Sequence, residues 1–209
     1  MLQKEAIEPI TLQLLKALQA DSMFSQFHLA GGTGLALQLG HRISVDLDLF
    51  SLTPYDNDFY LEYLEKKYRF VLDFSALSTL KGSIGNVKVD FISHIYPLLM
   101  PIVETEQIRI YSEADIAAMK VNAIAGNGTR SKDFVDLYFL LDQYTVDQML
   151  MFYHKKYNDR NTFHALKSLN YFEEVDLSDW PVLITNKKLT WNIVKATIDK
   201  QCKEYIKKL

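Results

Sequence analysis

The chain has 209 residues, of which 48% are hydrophobic, 12% aromatic and 23% charged, a balance that suits one mid-sized or two small folded domains and excludes a long disordered tract. The net charge is −3, and no apolar run approaches the ~18 residues that cross a bilayer, so a soluble cytoplasmic protein with no membrane partner is expected. Cys202 is the single cysteine and the five histidines are scattered, which excludes an internal disulfide and disfavours structural zinc.

The N-terminal pattern predicts a helix, a short strand and a second helix. Apolar residues recur at helical spacing over residues 4–20, and a short apolar run over 27–30 predicts a strand. The glycine turn 31–33 then leads into a short helix that ends at Gly40.

Two later segments alternate between apolar and polar residues and are predicted to be strands. Residues 43–50 place Asp46 and Asp48 on the polar face, and residues 86–93 place Asp90 on theirs. Between these strands the pattern predicts a helix over 58–68, an edge strand or hairpin arm over 69–80 and a turn over 82–85.

From residue 112 onward the pattern is helical. Ser112 is predicted to cap a helix, with Asp115 reaching back in a capping box, and Ser131 to cap the next helix. Further helices are predicted near 145–157, 160–172 and 190–208. The fold class is therefore α+β, with a mixed α/β domain over residues 1–108 and a helical bundle over 109–209.

The acidic strands predict a metal site. Residues two apart on a strand project to the same side about 6.5 to 7 Å apart, so Asp46 and Asp48 share a face and repel each other unless a cation neutralises them. Mg²⁺ prefers such carboxylates together with substrate phosphates, and Asp90 can supply a third ligand. Two Mg²⁺ ions about 4 Å apart suit phosphoryl or nucleotidyl transfer.

The glycine turn complements these carboxylates. Gly31, Gly32 and Thr33 lead into a helix, where backbone amides and the positive end of the helix dipole form an anion site for a triphosphate. Arg42, just after the helix, could bind a phosphate bidentately, whereas His41 is interpreted as structural.

The stretch GGTGLALQLGHRISVDLDLFS over residues 31–51 resembles the nucleotide-binding signature of the AbiEii/AbiGii toxin-like nucleotidyltransferases, within the polymerase β superfamily. The stretch KVNAIAGNGTRSKDFVDLYFLL over residues 120–141 resembles the downstream motif of that family, and VKVDF over 87–91 adds the second acidic strand. The resemblance implies a polymerase β-like nucleotidyltransferase domain followed by the helical domain.

The resemblance also implies roles for individual residues. Asp46 and Asp48 would be catalytic metal ligands, and Gly32 and Thr33 would contact the triphosphate. From the helical domain, Lys120 would reach a phosphate in the cleft, and Asp133 or Asp136 would also be functional.

These helical-domain residues have structural alternatives. Lys120 could equally be a solvated lysine, and Asp133 suits the positive first turn of its helix without any catalytic role. Asp136 lies one turn further on, so both aspartates could turn toward Lys120.

The sequence thus favours a magnesium-dependent nucleotidyltransferase that transfers a nucleoside monophosphate from a nucleoside triphosphate to an acceptor hydroxyl. The acceptor hydroxyl could belong to RNA, to a protein or to a small molecule. Some relatives in the family that the sequence resembles modify the acceptor end of tRNA, and some are toxins of toxin–antitoxin or phage-defence systems, a role that would imply a cognate antitoxin as partner. The alternative is a module that binds a nucleotide or partner without turnover. A magnesium nuclease is disfavoured, because it has little need of a glycine turn for a triphosphate.

Overall fold

A computed structural model describes residues 1–158 and 161–208. The strands described are β1 Phe27–Leu29, β2 Leu47–Ser51, β3 Val71–Ala76, β4 Thr79–Ile84, β5 Val87–Ser93, β6 Val103–Thr105 and β7 Ile108–Ile110. The α-helices described are α1 Pro9–Ala20, α2 Gly31–Leu39, α3 Asn57–Tyr68, α4 Glu113–Gly126, α5 Ser131–Leu140, α6 Val146–Lys156, α7 Thr162–Leu169 and α8 Trp191–Ile206. Within these residues, every helix is too short or too polar to traverse a lipid bilayer.

The chain forms two compact units. The first comprises Met1–Pro97 with Pro101–Tyr111, and the second comprises Leu98–Met100 with the chain from Ser112 onward. The units divide between Tyr111 and Ser112, whereas the sequence placed the boundary after residue 108.

The first unit is built on a seven-stranded mixed sheet in the order β3-β4-β5-β2-β1-β7-β6. Strand β2 is central and pairs with β1 antiparallel and with β5 parallel. Alternate side chains of β2 and β5 are buried, as the period of two requires. The predicted mixed sheet with flanking helices is confirmed.

An aromatic cluster fills part of the core of the first unit. The ring centroids of Phe24 and Phe91 lie 5.3 Å apart, and those of Phe27 and Phe91 lie 5.2 Å apart. Aromatic side chains bury large apolar areas and favour such tilted contacts. The cluster therefore fixes β5 against β1.

The first helix and the first acidic strand begin later than predicted. Helix α1 starts at Pro9 rather than at residue 4, because proline lacks an N–H and suits the first helical position. The strand predicted from residue 43 starts at Leu47. In the chain before it, Ser44 forms an isolated bridge with Ile7, and the carbonyl of Asp46 accepts a hydrogen bond from a side chain.

The turn predicted over residues 82–85 is also displaced. Gly82 lies inside β4, where a Cβ would stand 2.1 Å from the carbonyl oxygen of Val71. The turn lies instead at Gly85 and Asn86, between β4 and β5. Glycine at position 82 serves strand packing, because β3 and Phe70 approach too closely for a side chain.

The second unit is helical, as predicted, but its caps differ in part. Ser112 caps α4 through the amide of Asp115, at 3.1 Å. The Asp115 carboxylate does not complete a capping box, because it accepts hydrogen bonds from the Leu99 amide and Lys156. Ser131 is the first residue of α5 rather than its cap, and its hydroxyl donates to Asp179.

The last two helices match the predicted segments approximately. Helix α7 is shorter than the predicted 160–172, and residue 160 lies outside the described residues. Phe134, Phe172 and Trp191 pack with ring centroids 5.6 to 5.8 Å apart, which joins α8 to α5. Cys202 on α8 is fully buried.

We expect Cys202 to resist thiol reagents in the folded protein. Burial raises the pKa of its thiol to about 12, so almost no thiolate is present at neutral pH. Because the folded pKa exceeds the unfolded value of about 8.5, the free energy of unfolding should fall as pH rises from 8.5 toward 12. Labelling with a disulfide reagent should be slow until denaturant unfolds the chain, and rapid labelling of the native protein would contradict this packing of α8.

Candidate active site

Asp48 and Asp90 form an in-register pair at the centre of the first sheet. Asp48 on β2 is the direct partner of Asp90 on the parallel strand β5. Directly opposed residues on neighbouring strands project to the same face, with Cβ atoms about 4.5 to 5.5 Å apart. The two carboxylates that alternation placed on acidic faces therefore share one face of one sheet.

Asp46 occupies a different kind of position. It precedes β2, is partly exposed, and its carbonyl accepts a hydrogen bond from the Thr33 hydroxyl. No cluster of three or more His, Cys, Asp or Glu side chains arranged to hold a metal ion occurs within residues 1–158 and 161–208. The three-carboxylate set of Asp46, Asp48 and Asp90 stays a prediction.

The paired carboxylates nevertheless suit Mg²⁺ coordinated partly by a substrate. This ion is commonly held by one or two carboxylates, with waters and substrate phosphates completing an octahedron. Asp48 and Asp90 provide those two carboxylates. The donor set therefore fits a metal that binds together with a triphosphate, and not a cage made by the protein alone.

Gly31 lies directly against Asp48. A Cβ at residue 31 would stand 2.0 Å from Asp48 Oδ2, and Gly31 has φ +61°. Only glycine adopts this conformation readily and leaves room for the carboxylate. Because residue 31 has no side chain, the start of α2 and the Asp48 carboxylate on β2 can lie in contact.

The glycine segment is the first turn of α2 rather than a separate turn before it. The first amides of an α-helix have no carbonyl partner within that helix and carry the positive end of its dipole. The amides of Gly31, Gly32 and Thr33 occupy these positions, close to the Asp48 carboxylate. An anion bound here would therefore meet backbone groups, and the anion site at Gly31, Gly32 and Thr33 stays a prediction.

The side chains of Thr33 and Arg42 both donate hydrogen bonds to backbone carbonyls of the chain just before β2. Thr33 is buried, and its hydroxyl lies 2.8 Å from the Ser44 hydroxyl and donates to the Asp46 carbonyl. Arg42 is only 4% exposed and donates to the Ile43 carbonyl. These contacts support the chain leading into β2. The roles of Thr33 and Arg42 as phosphate ligands stay predictions.

In the second unit Lys120 lies between two buried carboxylates. Its Nζ is 2.6 Å from Asp133 Oδ1 and 2.6 Å from Asp136 Oδ2. Both aspartates turn toward Lys120, as their spacing on α5 allowed. The solvated alternative for Lys120 is wrong, since its side chain is only 8% exposed. The roles of this cluster in phosphate binding stay predictions.

Sequence reasoning missed Lys81 on β4. Lys81 is the direct antiparallel partner of Asp90, and its Nζ lies 3.0 Å from Asp90 Oδ2. The alternation of Lys81 with Leu80 and Gly82 in the sequence could have predicted a strand here. The pattern was not recognised, because Gly82 was assigned to a turn.

Comparisons with known proteins identify the family and the fold of the chain. The sequence profile of the family described as "Nucleotidyl transferase AbiEii toxin, Type IV TA system" matches residues 13–84 and 67–196. A protein from Aquifex aeolicus (strain VF5), named "Uncharacterized protein aq_aa25", is 30% identical, and the match covers 98% of this chain and 96% of that protein.

Solved structures show the same fold. The nucleotidyltransferase toxin MenT4 from Mycobacterium tuberculosis H37Rv is similar with a TM-score of 0.61 and 16% identity, covering 90% of this chain and 79% of that one. JHP933 from Helicobacter pylori is similar with a TM-score of 0.54 and 17% identity, covering 97% and 94%.

The sheet, its acidic pair and the glycine-rich start of α2, together with the family match, define a nucleotidyltransferase. The chain belongs to the AbiEii nucleotidyltransferase toxin family, as the resemblance of residues 31–51 and 120–141 implied.

Replacing Gly31 with alanine should disrupt the site as well as the backbone. The added methyl would displace the Asp48 carboxylate, and the strained φ should cost about 1 to 2 kcal/mol. Gly85→Ala is a matched control, because Gly85 has φ +59° and a Cβ there would meet no neighbouring atom within 4 Å. Thermal unfolding should show a loss for both variants, larger in Gly31→Ala because its methyl meets Asp48, and nucleotidyl transfer should fall at least tenfold more in Gly31→Ala. Equal activities would contradict the contact.

Replacing Lys120 with methionine should strongly destabilise the second unit. The change leaves Asp133 and Asp136 buried without their shared cation, a loss of about 3 to 5 kcal/mol. Lys132→Met on the same helix as these aspartates removes a more exposed charge, 3.8 Å from Asp179, and should cost less than about 1 kcal/mol. Urea unfolding measures both losses, and equal values would show that the buried cluster does not stabilise the fold.

Proposed function

We propose that this chain is a magnesium-dependent nucleotidyltransferase that moves a nucleoside monophosphate from a nucleoside triphosphate to an acceptor hydroxyl. The observation that carries the proposal is the in-register pair of Asp48 and Asp90 beside the start of α2, where Gly31 allows close contact. An anion site next to two carboxylates suits a substrate that brings both a triphosphate and a metal ion.

Each part of the site has a distinct task. The amides that begin α2 bind the triphosphate and orient its α-phosphorus. Asp48 and Asp90 would hold Mg²⁺, which would supply stabilisation of the negative charge that develops during the transfer. The acceptor hydroxyl gives its proton to solvent water as its oxygen bonds to the α-phosphorus, and the bond from that phosphorus to pyrophosphate breaks, so that pyrophosphate leaves with the bonding electrons.

The acceptor is proposed to be RNA, with the acceptor end of tRNA as the first candidate. Support comes from the resemblance of residues 31–51 and 120–141 to a family in which some members modify tRNA. We also propose that the protein acts as the toxin of a toxin–antitoxin pair, with a cognate antitoxin as partner. The description of its family as type IV toxins supports this role.

Lys120, Asp133 and Asp136 belong to the second unit, and we propose that they contribute to phosphate binding. The resemblance supports this proposal. Their mutual ion pairs also support a structural role, in which the aspartates fix the position of the Lys120 ammonium. Asp133→Asn should separate the two roles if transfer falls while the melting temperature changes little.

The proposed reaction is tested with Asp48→Asn. Purified protein, magnesium, each labelled triphosphate and total cellular RNA should give labelled RNA, and the variant should lose at least a hundredfold in rate, because charge stabilisation dominates such reactions. Asp73→Asn, an exposed change on β3 of the same sheet, is the control and should keep wild-type activity.

Two outcomes would overturn the proposal. Label transfer that is equal for Asp48→Asn and wild type, with both folded by circular dichroism, would remove Asp48 from the site. Label transfer that persists undiminished after all divalent ions are chelated would remove the metal from the proposed reaction.

A further inference from the structure

Lys81 lies in the same row of the sheet as the proposed metal ligands. The register pairs Lys81 on β4 with Asp90 on β5, and Asp90 with Asp48 on β2. Directly paired residues project to the same face. The three side chains therefore follow one another across three adjacent strands, with the lysine at the outer end.

The Lys81 ammonium forms an ion pair with one carboxylate oxygen of Asp90. Its Nζ lies 3.0 Å from Asp90 Oδ2, which is the distance of a close ion pair. The side chain of Asp90 is 24% exposed and that of Lys81 is 43% exposed. The pair is thus open enough to exchange partners, because a lysine on a flexible four-carbon stem can withdraw into solvent.

A divalent cation that binds Asp90 would compete with this ammonium for the carboxylate. Two positive groups at one carboxylate repel each other, and an exposed ion pair is worth little enough to be broken. A triphosphate changes the balance, because its negative charges both accompany the metal and give the displaced ammonium a new partner.

We propose that Lys81 is a positioning residue, an internal counter-ion of Asp90 that a divalent cation displaces and that then faces the triphosphate. This inference rests on the proposed function, since it assumes that Asp90 binds the metal. Lys81 holds Asp90 in the metal-free protein, weakens the binding of metal alone and favours metal that arrives with nucleotide.

The test measures Mn²⁺ binding rather than activity. Mn²⁺ is titrated into the full chain and the free ion is followed by electron paramagnetic resonance, with and without a non-hydrolysable triphosphate. For Lys81→Met we expect the dissociation constant for Mn²⁺ alone to fall by about three- to tenfold, the effect of one nearby charge at a partly exposed site. With the triphosphate present, this gain should disappear.

Two control variants test whether the charge of Lys81 beside Asp90 causes the change in Mn²⁺ binding. Lys81→Arg keeps the charge and should bind Mn²⁺ like wild type. Lys66→Met removes the same charge from another exposed ion pair of the first unit, with Glu62, and should leave Mn²⁺ binding unchanged.

The outcomes separate this inference from the proposed function. Equal or weaker binding of Mn²⁺ alone by Lys81→Met overturns the inference but leaves the proposed function intact if Asp48→Asn abolishes binding. A gain of the same size for Lys66→Met also overturns it, because the effect would then come from net charge. No Mn²⁺ binding by any variant, with or without triphosphate, overturns both.

Discussion

The parallel pairing of β2 with β5 is the constraint on which the rest of the candidate site depends. It places Asp48 opposite Asp90 on one face of the sheet. Two adjacent carboxylates repel each other in the absence of a cation. The strand register that stabilises the sheet therefore also brings two negative charges close together. In the proposed function, a metal ion with its substrate phosphates would neutralise these charges, and Lys81 is paired with Asp90 in the structure.

The start of α2 lies against this acidic pair and is the proposed anion site. Gly31 lets the first turn of the helix approach the Asp48 carboxylate, and the Thr33 hydroxyl holds the chain entering β2. Negative carboxylates and positive helix amides thus lie side by side. A triphosphate with its metal, the proposed substrate, carries the complementary arrangement of charges.

Alternation predicted β5, the polar face of Asp90 and the acidic face of Asp48, because a strand with one buried face leaves a period of two. It misplaced the start of β2, because the alternation continues through residues 43–46, where the chain makes only an isolated bridge at Ser44 and a side-chain hydrogen bond to the Asp46 carbonyl. It also missed Lys81, because no local pattern shows that Gly82 packs against another strand. Strand order and register are determined by contacts between residues that are distant in the sequence. The pairing of Lys81 with Asp90 depends on that register, so the local sequence pattern does not predict it.

The most direct measurement is anomalous diffraction from crystals of the protein soaked with Mn²⁺ and a non-hydrolysable triphosphate. The account predicts an anomalous peak at coordination distance, about 2.1 Å for an ion of this kind, from carboxylate oxygens of both Asp48 and Asp90, with the triphosphate on the amides that begin α2. A peak elsewhere, or a triphosphate bound with Asp90 still paired to Lys81 and no ion between the aspartates, would contradict it.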